Sequence, residues 1–556
     1  MPLGQSPPMT PSRTPTRTAT AWLLVVAAIL WFGMLGYRDL ADPDEGRGAE
    51  IAREIVATGD WVTMRLNGID YFAKPPLQFW ATAVTFRLFG EGNATARLSL
   101  ALFAFAGVLW TGFVGRRLFG PEVGFNAAAV LLSSLLYAAL GHVLTPNMSV
   151  TLFMTVGIGA LLLAQSRRDD PDHVRRWMLL GWAALALAVL SKGLMGVVLP
   201  GAVVFAYMLW QRDWALLRHL ALGWGLAVLL AVAAPWFVAV SIANPEFPRV
   251  FFIEEHFARY ATSAFRRDQP VYYFVPVLAL GLLPWLPRLV QGLVRPHFRW
   301  WPPAGQGFDP ERFLWTYVVF IFAFFSMGRS KLPTYLLPIL PALALLIGRR
   351  IAEARSLRPD VVATGVLGVV LLLGSAFVER FASESFTPSM LQDYRPWIAA
   401  AGLSLVAGAA AAAALRQRWQ SVSAIALFAL LGFQLAGWGY QTLQEPRSSA
   451  AEAGAIRPLL EPQTRVFSVG RYNSSLPFYL GRTVELVRYK PRRELDFADE
   501  VYAHLPSVED FRRDWDAVAG RAVAVFRTDD LDDPAFRGLS GRVVYQSPTR
   551  TALARR

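Results

Sequence analysis

Residues 77–90 read LQFWATAVTFRLFG, and whether they cross a membrane decides the orientation of everything that follows. The run is apolar but short. A spanning helix needs about 20 mainly apolar residues, and Arg87 interrupts this one near its end. It reads as a juxtamembrane or re-entrant helix. Around it the chain offers thirteen longer apolar stretches, near residues 21–39, 95–115, 123–142, 148–165, 176–191, 193–210, 218–242, 271–293, 312–327, 332–348, 360–378, 396–415 and 421–440. With thirteen spans, Arg116 and Arg117 and the basic segments 166–176, 211–219, 295–301, 349–355 and 416–419 share one side. Lys and Arg concentrate on cytoplasmic loops, so that side is the cytoplasm. The other side receives residues 40–76, 145–147, 191–193, 244–270, 328–331, 379–394 and everything after Tyr440. A fourteenth span at 77–90 would reverse this assignment after residue 90.

Composition agrees with a chain mostly embedded in lipid: of 556 residues 54% are hydrophobic and 17% charged. The net charge of +13 suits cytoplasmic loops and anionic headgroups better than nucleic acid. Without cysteine there is no disulfide and no thiolate nucleophile. The expected organisation is a disordered cytoplasmic tail over 1–20, whose Pro, Ser and Thr precede an uncleaved signal anchor, then a helical membrane domain over 21–440 that includes a juxtamembrane portion at 40–94. Residues 441–556 carry more charge and short alternating runs at 464–470, 483–489 and 521–528. They read as a small α/β domain outside the membrane, with helices at 449–460 and 508–518. The alanine-rich patch 407–415 permits close helix packing.

Three polar clusters fall on the non-cytoplasmic side. In residues 40–80, Ile51, Ala52, Ile55 and Val56 form one helical face with Gly59 as a stop, which predicts an interfacial amphipathic helix. Asp44 and Glu45 lie at its start, where Asp44 could simply cap the helix. Lys74 precedes two prolines and could meet a headgroup phosphate, or merely snorkel. In residues 251–270, Glu254, Glu255, His256, Arg259, Arg266 and Arg267 stand among aromatics. Guanidinium forks suit phosphate oxygens, although a loop on anionic lipid would look the same. His256 with a carboxylate could hold a divalent cation, a weak signal from so few groups. The third cluster, SMGRSKLPTYLLPILP at 326–341, sets Arg329, Lys331 and Tyr335 between two spans, where anchoring competes with chemistry. Cations beside hydrocarbon are what a lipid-linked phosphate requires.

These motifs, with RLFG and ARL over 87–98, LTPNM at 144–148, LSKG at 190–193 and EEHFARY at 254–260, resemble the bacterial 4-amino-4-deoxy-L-arabinose transferases of lipid A. Those belong to the protein O-mannosyltransferase-like C-type glycosyltransferases. The match runs in order over residues 41–348, whereas the last third matches in layout. The resemblance implies a GT-C fold, about thirteen transmembrane helices and interfacial helices, with a C-terminal α/β periplasmic domain, in the bacterial inner membrane. It implies an undecaprenyl-phosphate-linked sugar donor, a lipid A phosphate acceptor and polymyxin resistance. By motif position Asp44 is the catalytic carboxylate with Glu45 beside it, and Arg47, Lys74, Arg259 and Tyr335 bind the donor phosphate. Tyr71, Asn147, Arg266, Arg267, Arg329 and Lys331 are sugar or acceptor contacts. No obligatory cofactor is expected, and a monomer is. Two departures stand out: Ala73 and Asn147 occupy positions where the family often has acids, so any role those acids play toward a metal or the sugar's amine is relaxed or moved here; because closely related members transfer other sugars, a donor carrying galacturonic acid or a hexose is the alternative. A transporter or flippase would instead need intramembrane charges and paired broken helices, and a lipid-binding scaffold would make Asp44 dispensable.

Overall fold

The computed structural model describes residues 14–258, 269–295, 307–383, 385–488, 504–518 and 520–555, with backbone alone for 254–258. Each of the thirteen expected segments is at least partly helical. Among the described residues, eight helices are long and apolar enough to cross a membrane. They are α4 (Asn93–Phe119), α7 (Asn147–Gln165), α8 (Pro171–Lys192), α10 (Leu222–Ala243) and the helices Pro333–Glu353, Arg358–Ser375, Pro388–Ala414 and Arg418–Leu443. The other five depart for local reasons. Helices α1 (Arg17–Phe32) and α9 (Met195–Gln211) have 16 and 17 residues. Extended backbone at Ser134 separates α5 (Pro121–Ser133) from α6 (Leu135–Leu140). The stretch 271–293 is divided before Pro284, and Pro310–Met327 begins with Glu311 and Arg312.

The run that decides orientation forms α3 (Leu77–Phe89), bounded by Pro76 and by Gly90 at φ 82°. Its 13 residues reach about 20 Å at 1.5 Å each, short of the roughly 30 Å hydrocarbon core. It packs between α2 (Asp44–Thr58) and α4. Helix α2 differs from the one-faced interfacial helix expected. Glu45, Glu50, Arg53 and Glu54 are buried along with Ala49, Ile51, Ala52 and Ile55, because α3 lies on one side and helix Ser475–Leu480 on another. Its charges are satisfied within the core: Arg53 donates to both oxygens of Glu50 at 2.7 and 2.6 Å, and Glu54 accepts the Gly68 N–H at 3.0 Å. Gly59, at φ 72°, ends the helix as expected.

A small hairpin, β1 (Arg65–Leu66) and β2 (Ile69–Asp70), turns at Asn67 and Gly68, both with positive φ. The C-terminal portion holds a mixed five-stranded sheet. Strand β3 (Arg465–Val469) pairs in parallel with β4 (Glu485–Val487) and β5 (Ala522–Arg527), while β7 (Arg550–Arg555) runs antiparallel to β5 and to β6 (Arg542–Gln546). Three of these strands fall in the expected alternating runs, and the helices Ala450–Ile456 and Val508–Ala517 fall within the expected 449–460 and 508–518. Phe467, Phe511, Trp515 and Phe526 fill the core beneath. Phe478 of this portion stacks on Phe86 of α3 at 5.8 Å, and the Asn67 side chain exchanges hydrogen bonds with the backbone of Val484.

Candidate active site

The site is built where α2 begins. Pro43, not Asp44, occupies the N-cap position and no side chain caps the helix, so the capping role open to Asp44 is not the one it plays. Asp44 is the first helical residue. Its side chain is 63% exposed and lies 3.6 Å from the Arg47 guanidinium one turn on. The neighbouring acid has the opposite fate. Glu45 is 1% exposed, and both its oxygens receive Arg97, Nε at 2.7 Å and Nη2 at 2.8 Å. It also accepts the backbone N–H groups of Ala41 and Leu144, each at 3.1 Å. Burial pushes its pKa up, but the Arg97 charge and hydrogen bonds outweigh burial and hold it down at about 2. Arg97 spends its remaining donors on the carbonyls of Leu35, Arg38 and Asp39 at 3.0, 2.6 and 2.8 Å. Expected beside Asp44 as a reacting acid, Glu45 is turned inward and ties α2 to α4 and to the backbone of Leu144.

That tie brings a second group in. Asn147, which opens α7, is joined through its side-chain oxygen to the ammonium of Lys192, the last residue of α8. The same ammonium lies 5.1 Å from the ring centre of Tyr335, whose ring also meets Phe325 at 5.0 Å. Glu45 thus holds Leu144, three residues before Asn147, and Asn147, Lys192 and Tyr335 form one line of contacts across three elements. Lys192 had only a place in a motif. A lysine ending an apolar helix reads as snorkelling, and its pairing became visible only in three dimensions. Arg97 gave a sharper signal, an arginine inside an apolar segment, which marks a buried partner.

Lys74 is half-buried above the buried Pro75 and Pro76, and donates to the Ala73 carbonyl at 2.6 Å. Its loop is fastened to the end of α10: Trp236 donates to the Val62 carbonyl at 3.1 Å, Asn244 to Thr63 at 2.9 Å, and Phe72 meets Phe247 edge-on. Tyr71 is buried against Phe79. Past Phe247 the chain enters a π-helix, Arg249–Ala258. Arg259, Arg266 and Arg267 lie outside the described residues, as does the side chain of His256. Lys331, expected as a substrate contact, is 4% exposed and donates to the carbonyls of Gln269 and Gly328 at 2.8 and 2.5 Å. It holds two backbone segments together, whereas Arg329 is exposed. Among the described residues no three of His, Asp, Glu and Cys gather as a metal ion would need.

A helical membrane body with an exposed carboxylate and several cations at one end, topped by a small mixed sheet, is the architecture of a C-type glycosyltransferase. Residues 73–238 match the family model described as dolichyl-phosphate-mannose-protein mannosyltransferase, and residues 452–555 that of the aminoarabinose transferase C-terminal domain. The undecaprenyl phosphate-alpha-4-amino-4-deoxy-L-arabinose arabinosyl transferase of Shewanella sediminis is 32% identical over 66% of this chain and 67% of its own length. That of Pseudomonas aeruginosa is 33% identical over 64% of each chain. The crystal structure of ArnT from Cupriavidus metallidurans bound to undecaprenyl phosphate superposes with a TM-score of 0.89 at 34% identity, covering 97% of this chain and 98% of that one. The chain belongs to the undecaprenyl phosphate-aminoarabinose arabinosyl transferase family.

Proposed function

We propose that the protein transfers 4-amino-4-deoxy-L-arabinose from undecaprenyl phosphate to a phosphate of lipid A at the periplasmic face of the inner membrane. The observation that carries this is the agreement of nearly the whole chain with an ArnT structure holding undecaprenyl phosphate. In this reading all thirteen expected spans cross the bilayer, with the N-terminus cytoplasmic, the site and residues 441–556 periplasmic, and the protein a monomer.

The bond from the anomeric carbon to the donor phosphate breaks as a bond to an acceptor phosphate oxygen forms, releasing undecaprenyl phosphate. An acceptor phosphate monoester is already anionic near neutral pH, so it needs orientation more than deprotonation. The developing charge on the leaving phosphate is assigned to Lys74, Arg259, Arg47 and Tyr335, as the family motifs imply. Lys192, held by Asn147 and Tyr335, is an additional cation for the same phosphate. Losing one such preorganised group costs about 10²–10³ in rate. Asp44 faces the positive charge that builds at the sugar, as carboxylates do in glycosyl chemistry. Of the two adjacent acids it alone is exposed enough to reach a substrate. A cationic sugar on an anionic phosphate weakens attraction for polymyxin and other cationic peptides. Purified protein in vesicles, given lipid A and the undecaprenyl phosphate-linked sugar, should release undecaprenyl phosphate and label lipid A. Transfer of galacturonic acid with the aminopentose donor inert would replace this donor assignment.

A further inference from the structure

Ser475 is fully buried and lies 433 residues along the chain from Asp42. Its backbone N–H donates to Asp42 Oδ1 at 2.8 Å and its hydroxyl donates to Asp42 Oδ2 at 2.5 Å. The same hydroxyl oxygen accepts the Ser449 N–H at 3.0 Å, so both its donor and an acceptor position are in use. Nearby contacts run in the same sense. The Asp42 N–H goes to the Arg447 carbonyl at 2.6 Å, and the Leu40 N–H to the Tyr479 hydroxyl at 2.7 Å, which donates on to Asn93 at 2.8 Å. Gln441 accepts the Asp39 N–H and donates to the Asp39 carboxylate, both at 2.7 Å. On the next turn a Cβ at Gly46 would collide with Asp42 Oδ1 and the Ser475 nitrogen, so this approach requires glycine. Residues 39–46 are pinned by Arg97 from the membrane body and by residues 441–479 from the other side.

We propose that Ser475 is a positioning residue of the transfer reaction: by fixing both oxygens of Asp42 it sets the backbone from which Asp44 projects, which makes the C-terminal portion a working part of the active site. The inference rests on the reading of Asp44 as the reacting carboxylate. A buried carboxylate is a costly tether, since burial raises Asp42 to about 6 despite the Ser475 hydrogen bonds. Adhesion between two surfaces could be had from apolar contacts such as Phe86 on Phe478. What the Asp42 pair adds is direction. Two bonds to one carboxylate fix both its position and its rotation two residues before Asp44.

The test uses the full-length protein in vesicles with the wild-type chain alongside. Ser475→Ala, which keeps the backbone N–H and deletes the hydroxyl, should lower kcat at least about tenfold while the donor KM stays within about twofold; a misplacement near 1 Å can cost about 10²-fold. Because the variant leaves a buried Asp42 oxygen and the Ser449 N–H without this hydroxyl, its melting temperature should fall, and kcat is compared per folded protein at a temperature well below melting. Asp42→Asn can accept the Ser475 N–H and meet its hydroxyl with an amide, and should keep most of the kcat that Asp42→Ala loses. Wild-type kcat in Ser475→Ala overturns the proposal. So does a loss of kcat that only tracks the folded fraction, or an Asp42→Asn as impaired as Asp42→Ala. Absence of transfer by the wild-type protein would instead strike the function itself.

Discussion

Asp44 and Glu45 are consecutive acids with separable duties. Glu45 is locked to Arg97 out of solvent, and removing one member of a buried pair costs roughly 3–5 kcal/mol. Glu45→Gln should therefore lower the melting temperature and the yield of folded protein. Asp44→Asn should leave melting unchanged and reduce transfer by about 10²–10³-fold, a magnitude typical for a group that meets transition-state charge. Equal melting losses in both variants would contradict the division. Asp42 yields a pH prediction. Burial raises it from 3.8 to about 6, so the folded state holds the proton more tightly than the unfolded chain. Its contribution is complete below the unfolded value and lost as pH rises through about 6. Denaturation of Asp42→Asn against wild type should show an advantage for the variant that grows between about pH 4 and pH 6 and then levels. A difference independent of pH would mean that Asp42 is not buried as a carboxylate. At this scale the motif around Asp44 was legible from resemblance. The partners of Glu45, Asn147 and Asp42 were not, because hydrogen bonds spanning 99, 45 and 433 residues leave no local pattern.

Among elements, length was the most readable property. The short run at 77–90 forms a 13-residue helix, and the eight long apolar helices fall on expected spans. Breaks were harder to see: Ser134 divides a segment whose hydropathy is continuous. Helix α2 is not one-faced as its periodicity suggests, since periodicity cannot show that charged positions will be covered by distant elements and paired within a core. Strands β6 and β7 escaped notice because arginines flank and end their short apolar runs. Orientation follows from α3 not crossing, and the cysteine-free chain makes this testable. Single cysteines at the exposed positions Glu246, Arg329 and Arg537 should react with an impermeant thiol reagent in cells whose outer membrane has been opened. Those at the exposed Ser166, Asp169 and Arg358 should react only after the inner membrane is permeabilised. The opposite pattern at Ser166 and Arg329 would place α3 across the bilayer.

For the whole molecule, a few cross-links join segments far apart along the sequence, while the charged side chains over 254–267 lie outside the described residues. Glu45 reaches Leu144, Lys192 reaches both Asn147 and Tyr335, and Lys331 reaches Gln269. The extent to which residues 441–479 grip the segment around Asp44 was not legible in the sequence. The sequence of that region shows a small domain but not what it leans on. The central claim is that this end of the protein places aminoarabinose on lipid A. Its most direct measurement is mass spectrometry of lipid A from a strain lacking its own transferase, carrying either the wild-type chain or Asp44→Asn. The wild-type chain should add the mass of one aminopentose to a lipid A phosphate, and the variant, present at equal level, should add it at least about 10²-fold more slowly. Unmodified lipid A with the wild-type chain and ample donor, or equal modification by the variant, would contradict the account.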